Sequence, residues 1–260
     1  MLLRFDDMES SARQLTLVSF YGEKTEEFVV WIRSIQQILS AELGTAFEPY
    51  SPDQIHGTII GLEGTRVESG VRSNNRLEYL GEECTFDFDR MLNFLRTPFG
   101  GCSIQVGGFR PDGDYSFLSQ GQHPFVRSFS IQRETAVAMG WPTIDGTFPN
   151  ALDRLRRTLE RFGALRKWAW NEGEVDNDFY FVVGRVASTL DEAMRQATEL
   201  RIRDLIASSP PLLLRLTPQD LQFVSYTDRR LLRDDARVFP LKDTATTAEA
   251  LTNAYGFCKR

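Results

Sequence analysis

The chain has 260 residues, 42% hydrophobic and 12% aromatic, with a formal charge of -6 and a pI near 5.2. That length permits one large domain or two small ones. The acidic balance excludes a general nucleic-acid coat, which needs a basic surface, but leaves room for a small pocket of the opposite sign. Cys84, Cys102 and Cys258 lie far apart with no CxxC and no histidine at ligand spacing. This argues against a disulfide framework or structural zinc and suits a reducing compartment.

The opening "MLLRFDDMESSARQ" carries acidic residues where a signal peptide needs an apolar core. No apolar stretch approaches the ~20 residues of a membrane helix. A cytoplasmic protein without a membrane partner is expected.

In chain order, "QLTLVSFYG" (14–22) is a strand signal, β-branched and aromatic residues closed by a glycine. A helix follows from about Thr25 to Leu43, with Phe28, Trp31, Ile32, Ile35 and Leu39 on one buried stripe. "GTAFEPYSPD" breaks it, and "QIHGTIIGLEG" (54–64) begins the next strand. Residues 65–85 carry charge and turn residues with little periodicity and read mostly as loop. Phe88, Met91, Leu92 and Leu95 predict a short amphipathic helix. "GCSIQVGGF" and "SFLSQ" flank the turn signal "RPDGD", which predicts a hairpin. "RSFSIQRETAVAMGW" reads as strand.

Pro149 suits a helix start, and Leu152, Leu155, Leu159 and Phe162 form the stripe of a helix ending near Gly163. "FYFVVGRVA" (179–187) is the most strand-like segment of the chain. Thr189 with Glu192 forms a capping box for a helix to about Ala207, and "LLLRL" and "LQFVSYTD" read as closing strands. The expectation is a single α+β domain of two βα-rich lobes with antiparallel sheets around a central cleft. Lobe one covers about 14–100, lobe two about 101–235, and a tail runs over 236–260.

The chain has only two histidines. Alternation along a strand puts His56 and Thr58 on one face, roughly 7 Å apart. That pair could hold a phosphate and move a proton, or simply occupy a solvated face. His123, in "GQHPFVRS", precedes a proline in a turn-like context, and folding could still bring it to the cleft.

With "HGTIIGLE" placed after a strand and a helix, "LDRLRRTLERFG" before a strand ending in "GRV", and "LQFVSYTDRRL" near the end, the chain resembles the two-histidine phosphoesterase superfamily. That family includes cyclic phosphodiesterases and small RNA-ligase-like proteins. The resemblance covers most of 14–232 in coarse order and implies a bilobal fold in which each lobe brings a His-x-Thr or His-x-Ser strand to a central cleft. The long spacing from His56 to Tyr180 implies insertions at the 65–85 loop and the 110–120 hairpin. The second motif is missing. Anchoring on "GRV" puts Tyr180 at the histidine position and Val182 at the hydroxyl position, while a match on "TPQDLQFVSYTD" puts Gln222 opposite His56.

The resemblance implies metal-independent chemistry with no cofactor. One imidazole takes a proton and the other gives one, while the hydroxyls hold phosphate oxygens. On this reading His56 is the acid or base and Thr58 binds phosphate oxygen, with Tyr180 and Arg185 as ligand-binding positions. The ligand class is a small phosphate ester, a cyclic nucleotide or an RNA end. The alternative is a catalytically inactive member that serves as a ligand-binding or interaction module, since loss of one acid/base partner costs about 10²–10⁴ in rate.

Other features have plainer readings. Arg154, Arg157 and Arg161 share a helix face that Glu160 makes a solvated one. Glu172, Glu174, Asp176 and Asp178 alternate as metal ligands could, but no histidine or cysteine joins them and a hydrated loop is expected. Trp168 and Trp170 are expected to pack rather than stack on a base. No GxGxxG, Walker loop, HExxH or GxSxG supports a dinucleotide, ATP, zinc or serine-hydrolase reading.

Overall fold

The computed structural model describes residues 12–97, 102–167 and 173–256. Trp168, Trp170, Glu172 and Cys258 lie outside these ranges. The elements follow in chain order. First come β1 (Gln14–Ser19), α1 (Glu26–Leu43), β2 (Phe47–Pro49), β3 (Gly57–Gly61), β4 (Gly64–Val67), β5 (Gly70–Ser73), α2 (Asn74–Leu80) and α3 (Phe88–Arg96). They continue with β6 (Cys102–Val106), α4 (Pro124–Arg127), β7 (Phe129–Gln132), β8 (Thr135–Thr143), α5 (Ala151–Glu160) and β9 (Phe179–Val186). The last are α6 (Glu192–Ser208), β10 (Leu212–Leu216), β11 (Leu221–Tyr226), β12 (Arg237–Pro240) and α7 (Ala248–Asn253).

A 10-stranded sheet runs in the order β10-β6-β8-β9-β3-β1-β11-β12, with β2 beside β9 and β7 beside β8. Its pairings among the described residues are antiparallel. The fold is therefore α+β with a large antiparallel sheet. The order is symmetric about its middle: β3 and β9 are central, β1 and β8 flank them, then β11 and β6, then β12 and β10. The chain supplies the centre as β1-α1-β3 and again as β8-α5-β9. Each helix reaches across to the other unit's central strand, α1 to β9 and α5 to β3. β11 and β12 come late in the sequence yet return to lie beside β1.

One large core fills the helical side of the sheet. α1 presents Phe28, Trp31, Ile32, Ile35 and Leu39 to Phe179 and Phe181 of β9, and Leu152, Leu155 and Leu159 of α5 join the same core. Burial of these stripes is the main driving force for assembly. Gly57 sits in β3 because a Cβ there would come within 2.0 Å of the Phe179 ring. The opposite face carries two smaller apolar groups. Val18, Tyr21, Val224, Tyr226 and Leu231 form one; Phe109, Val137, Met139 and Trp141, with Tyr180 and Val182 against them, form the other.

Several local expectations are corrected. Residues 65–85 are not mostly loop: β4 and β5 make a hairpin, and α2 follows with Ser73 as its cap, accepting from the Arg76 amide. The hairpin across "RPDGD" does not form. Gly107 and Gly108 take positive φ, turning the chain so that Phe109 is buried against Trp141, and β6 pairs instead with β8 and β10. The "RSFSIQRETAVAMGW" segment is two strands, β7 and β8, joined tightly through Arg133 at φ 54. The cap of α6 is Asp191, which accepts from the Met194 amide, rather than Thr189.

Candidate functional site

β3 and β9 share a single register pair, Gly57 with Phe181. From that pair, one step back on each strand reaches His56 and Tyr180, and one step forward reaches Thr58 and Val182. Because the strands are antiparallel, Thr58 lies across from Tyr180. Val18 pairs with Thr58 on the next strand, Gln222 with Val18 beyond it, and Met139 with Tyr180 on the other side. The row Gln222, Val18, Thr58, Tyr180, Met139 thus crosses the face opposite the large core, with Thr58 between the two apolar groups.

The short pairing of the central strands has a visible cause. Arg156 of α5, 4% exposed, inserts its guanidinium where they diverge. It donates to the Thr58 and Ile59 carbonyls at 2.9 and 2.7 Å, to the Asp178 carbonyl at 3.1 Å and to the Asp176 carboxylate at 2.7 Å. On the other side Gln36 of α1 donates to the Tyr50 and Val183 carbonyls at 2.7 and 2.9 Å. Helix side chains therefore replace the ladder bonds that divergence would leave unmade.

His56 stands one residue before β3 and is half-buried. Its Nδ1 lies 2.8 Å from the Gln54 carbonyl. A carbonyl only accepts, so Nδ1 carries the proton in the neutral ring and Nε2 keeps its lone pair. The ring meets Tyr21 edge-on, centroids 5.8 Å apart. Desolvation pushes its pKa down to about 4; the Gln54 carbonyl opposes the shift and the Lys24 ammonium adds to it. At neutral pH His56 is an uncharged acceptor. Thr58 is half-buried on the same face.

Tyr180 is held tightly. Its hydroxyl donates to Asp178 Oδ2 at 3.1 Å and receives Gln120 Nε2 at 3.3 Å. Asp178 is itself a hub, accepting from Ser119 Oγ at 2.7 Å, Trp141 Nε1 at 2.7 Å and Arg127 Nη2 at 2.9 Å. Desolvation and the adjacent Asp178 carboxylate raise the phenol well above its usual 10, with Arg127 opposing.

Arg185 lies farther along β9, roughly 15 Å from Tyr180 at ordinary strand rise. Its guanidinium is 2.7 Å from Glu134, and both side chains are exposed. His123 caps α4: Nδ1 accepts from the Phe125 amide at 3.2 Å and Nε2 donates to the Gly113 carbonyl at 2.8 Å. Both its nitrogens are occupied. Asp176 and Asp178 are engaged by Arg156 and Arg127, and no group of three or more metal-ligating side chains occurs among the described residues.

The wall beside His56 is built from loops that sequence reading passed over. Tyr21 donates to the Leu231 carbonyl at 2.8 Å, Gln54 to the Arg230 carbonyl at 2.8 Å, and Gln222 to the Tyr21 carbonyl at 2.7 Å. The Gly22 amide donates to the Asp53 carbonyl at 2.8 Å. Lys24 and Arg233 stand on this wall. The arginine guanidinium lies 4.7 Å from the Tyr21 ring centre, and Lys24 Nζ donates to the Gly22 carbonyl at 2.9 Å. No motif marks these residues; only the pairing of β1 with β11 brings their loops together.

No family model matches the sequence, and no curated protein matches it. Solved structures similar to this chain include a conserved protein of unknown function from Agrobacterium tumefaciens. That likeness has 13% identity, covers 84% of this chain and 82% of that one, and has a TM-score of 0.46. TT0787 of Thermus thermophilus is similar at 15% identity, over 89% of this chain and 99% of that one, TM-score 0.38. E. coli LigT complexed with NADP+ is similar at 14% identity, over 90% and 96%, TM-score 0.38. No helix among the described residues is long and apolar enough to cross a membrane.

Proposed function

We propose that the chain is a phosphate-ester-binding protein on a two-histidine-phosphoesterase-like frame, with its cleft at His56 and Thr58. The observation that carries this is the Gly57–Phe181 register pair. It makes Tyr180 the counterpart of His56, and Val182 the counterpart of Thr58, about the centre of a symmetric sheet. His56 Nε2 accepts a proton or a ligand hydroxyl, and the Thr58 hydroxyl binds a non-bridging phosphate oxygen. No metal or cofactor is required for either role. The ligand class is a nucleotide or an RNA-end phosphate, and the working compartment is the cytoplasm.

Binding is favoured over turnover by the state of Tyr180. A phenol with a raised pKa, donating to Asp178, is a poor base and a reluctant acid at neutral pH. One imidazole alone leaves about 10²–10⁴-fold less acid–base catalysis than a pair. The second reading, a slow phosphodiesterase, draws on the tautomer of His56, whose Nδ1 contact with the Gln54 carbonyl leaves the Nε2 lone pair available. Calorimetry with a nucleoside 3′-monophosphate, in EDTA, tests the first reading: binding is expected, weakened at least about tenfold in Thr58→Ala. Binding unaffected by that substitution would place the ligand elsewhere. Hydrolysis of a 2′,3′-cyclic nucleotide that disappears in His56→Ala supports the second.

A further inference from the structure

The loops beside His56 hold two cations, Lys24 and Arg233. Gly22 joins them: its carbonyl accepts from Lys24 Nζ, and a Cβ built on it would lie 3.5 Å from Arg233 Nη1. Tyr21, the preceding residue, touches the His56 ring on one hand and the Arg233 guanidinium on the other. The two cations repel one another: exposed Arg233 disfavours the charged form of Lys24.

Of the neighbouring carboxylates, Asp53 acts on Lys24 only from beyond ion-pair distance, and two others are engaged elsewhere. Asp235 accepts from Arg13 at 3.0 Å and from the Thr227 hydroxyl at 2.7 Å, and Asp228 accepts from Arg230 at 2.6 Å. Among the described residues neither Lys24 nor Arg233 has a carboxylate within ion-pair distance. Desolvation lowers the Lys24 pKa to about 8, with Asp53 opposing and Arg233 reinforcing. The pair forms a positive site on a chain whose formal charge is -6.

The two loops that carry the cations are also bent against preference. Phe20 has φ 59 and Leu231 φ 52, left-handed values that are unfavourable for a non-glycine residue. At Phe20 the bend drives its own ring into the core against Phe28, Phe179 and Phe181 and turns Tyr21 toward His56. At Leu231 it presents the carbonyl that Tyr21 binds. Tyr21 is thereby fixed as the common support of imidazole and guanidinium.

We propose that Lys24 and Arg233 form a second anion subsite, so that the cleft prefers a ligand carrying two separate phosphate groups, a nucleoside bisphosphate rather than a monophosphate. The inference rests on the reading of His56 and Thr58 as the first phosphate site. One phosphate meets Thr58 and His56 Nε2, and the second meets the ammonium and guanidinium beyond Tyr21. Phosphate oxygens supply the negative charge that no carboxylate brings within ion-pair distance of the two cations.

The test compares calorimetric affinities for adenosine 3′-monophosphate and adenosine 3′,5′-bisphosphate at pH 7 and fixed ionic strength. The bisphosphate is expected to bind about tenfold tighter or more. Lys24→Met and Arg233→Gln each bring the ratio of the two affinities close to one, and Arg233→Lys restores part of it. Thr58→Ala weakens both ligands and keeps the ratio. Equal affinities in the unsubstituted protein, or a ratio that survives both cation substitutions, overturn the second subsite while leaving the first phosphate site standing. Failure of both ligands to bind overturns the reading of the cleft and the inference with it. Circular dichroism of each variant separates lost binding from lost folding.

Discussion

Tyr180 donates its hydroxyl to Asp178, two residues earlier on the same strand, at 3.1 Å. This bond ties the phenol to a buried carboxylate that also receives Ser119, Trp141 and Arg127. At the position that the symmetry of the sheet relates to His56, the chain has a fixed polar hub.

On the proposed reading, placing a second His-x-Thr opposite His56 is expected to give rise to hydrolysis. Tyr180→His with Val182→Thr should raise metal-free hydrolysis of a 2′,3′-cyclic nucleotide by about 10²-fold or more. The assay is run in EDTA. A folded double variant that binds nucleotide without any gain in rate would contradict the symmetry relation between His56 and Tyr180.

Replacing Tyr180 by Phe removes one donor from buried Asp178 and should cost about 1–3 kcal/mol of stability. A urea unfolding curve reads this through its midpoint. An unchanged midpoint would mean that the remaining donors satisfy Asp178 fully.

Gly57→Ala is expected to destabilise by about 1–3 kcal/mol through overpacking. The added Cβ falls 2.0 Å from the Phe179 ring, and that ring is fully buried with Phe20 and Phe181 against it. Chemical denaturation of the variant checks the value.

His56 links stability to pH. Its folded pKa is about 4 against the ordinary 6.5, so between these values the unfolded chain binds more protons than the folded one. Stability therefore falls as pH drops from 6.5 to 4, and the loss is complete below 4. His56→Gln should flatten the decline in that window. Parallel pH profiles for the two proteins would sink the assignment of the shift to His56.

The frame of this molecule was legible in its sequence because periodicity is a local signal. The stripe of α1 from Phe28 to Leu39, the α5 stripe from Leu152 and the β-branched run of β9 all lie where spacing put them. His56 and Thr58 were visible for the same reason, as residues two apart at the start of β3, His56 lying just before it. Lys24, Arg233 and Arg127 were not, and Asp178, expected in a hydrated loop, is instead buried. Each sits at a loop, a short helix or a strand boundary, and acquires its neighbours only from contacts such as Tyr21 with Leu231, 210 residues apart. The failed hairpin at "RPDGD" has a similar origin: burial of Phe109 against Trp141 overrides a local turn signal.

The most direct measurement is an NMR titration of the histidine side chains with a nucleoside 3′-monophosphate in EDTA. The chain has only two histidines, and His123 has both ring nitrogens bonded within the protein, so His56 can be followed by itself. A bound phosphate should shift the His56 resonances and move its titration upward from about 4 toward neutrality, with both effects lost in Thr58→Ala and His123 undisturbed. His56 resonances that stay fixed at millimolar nucleotide would contradict the central claim that this imidazole faces the ligand.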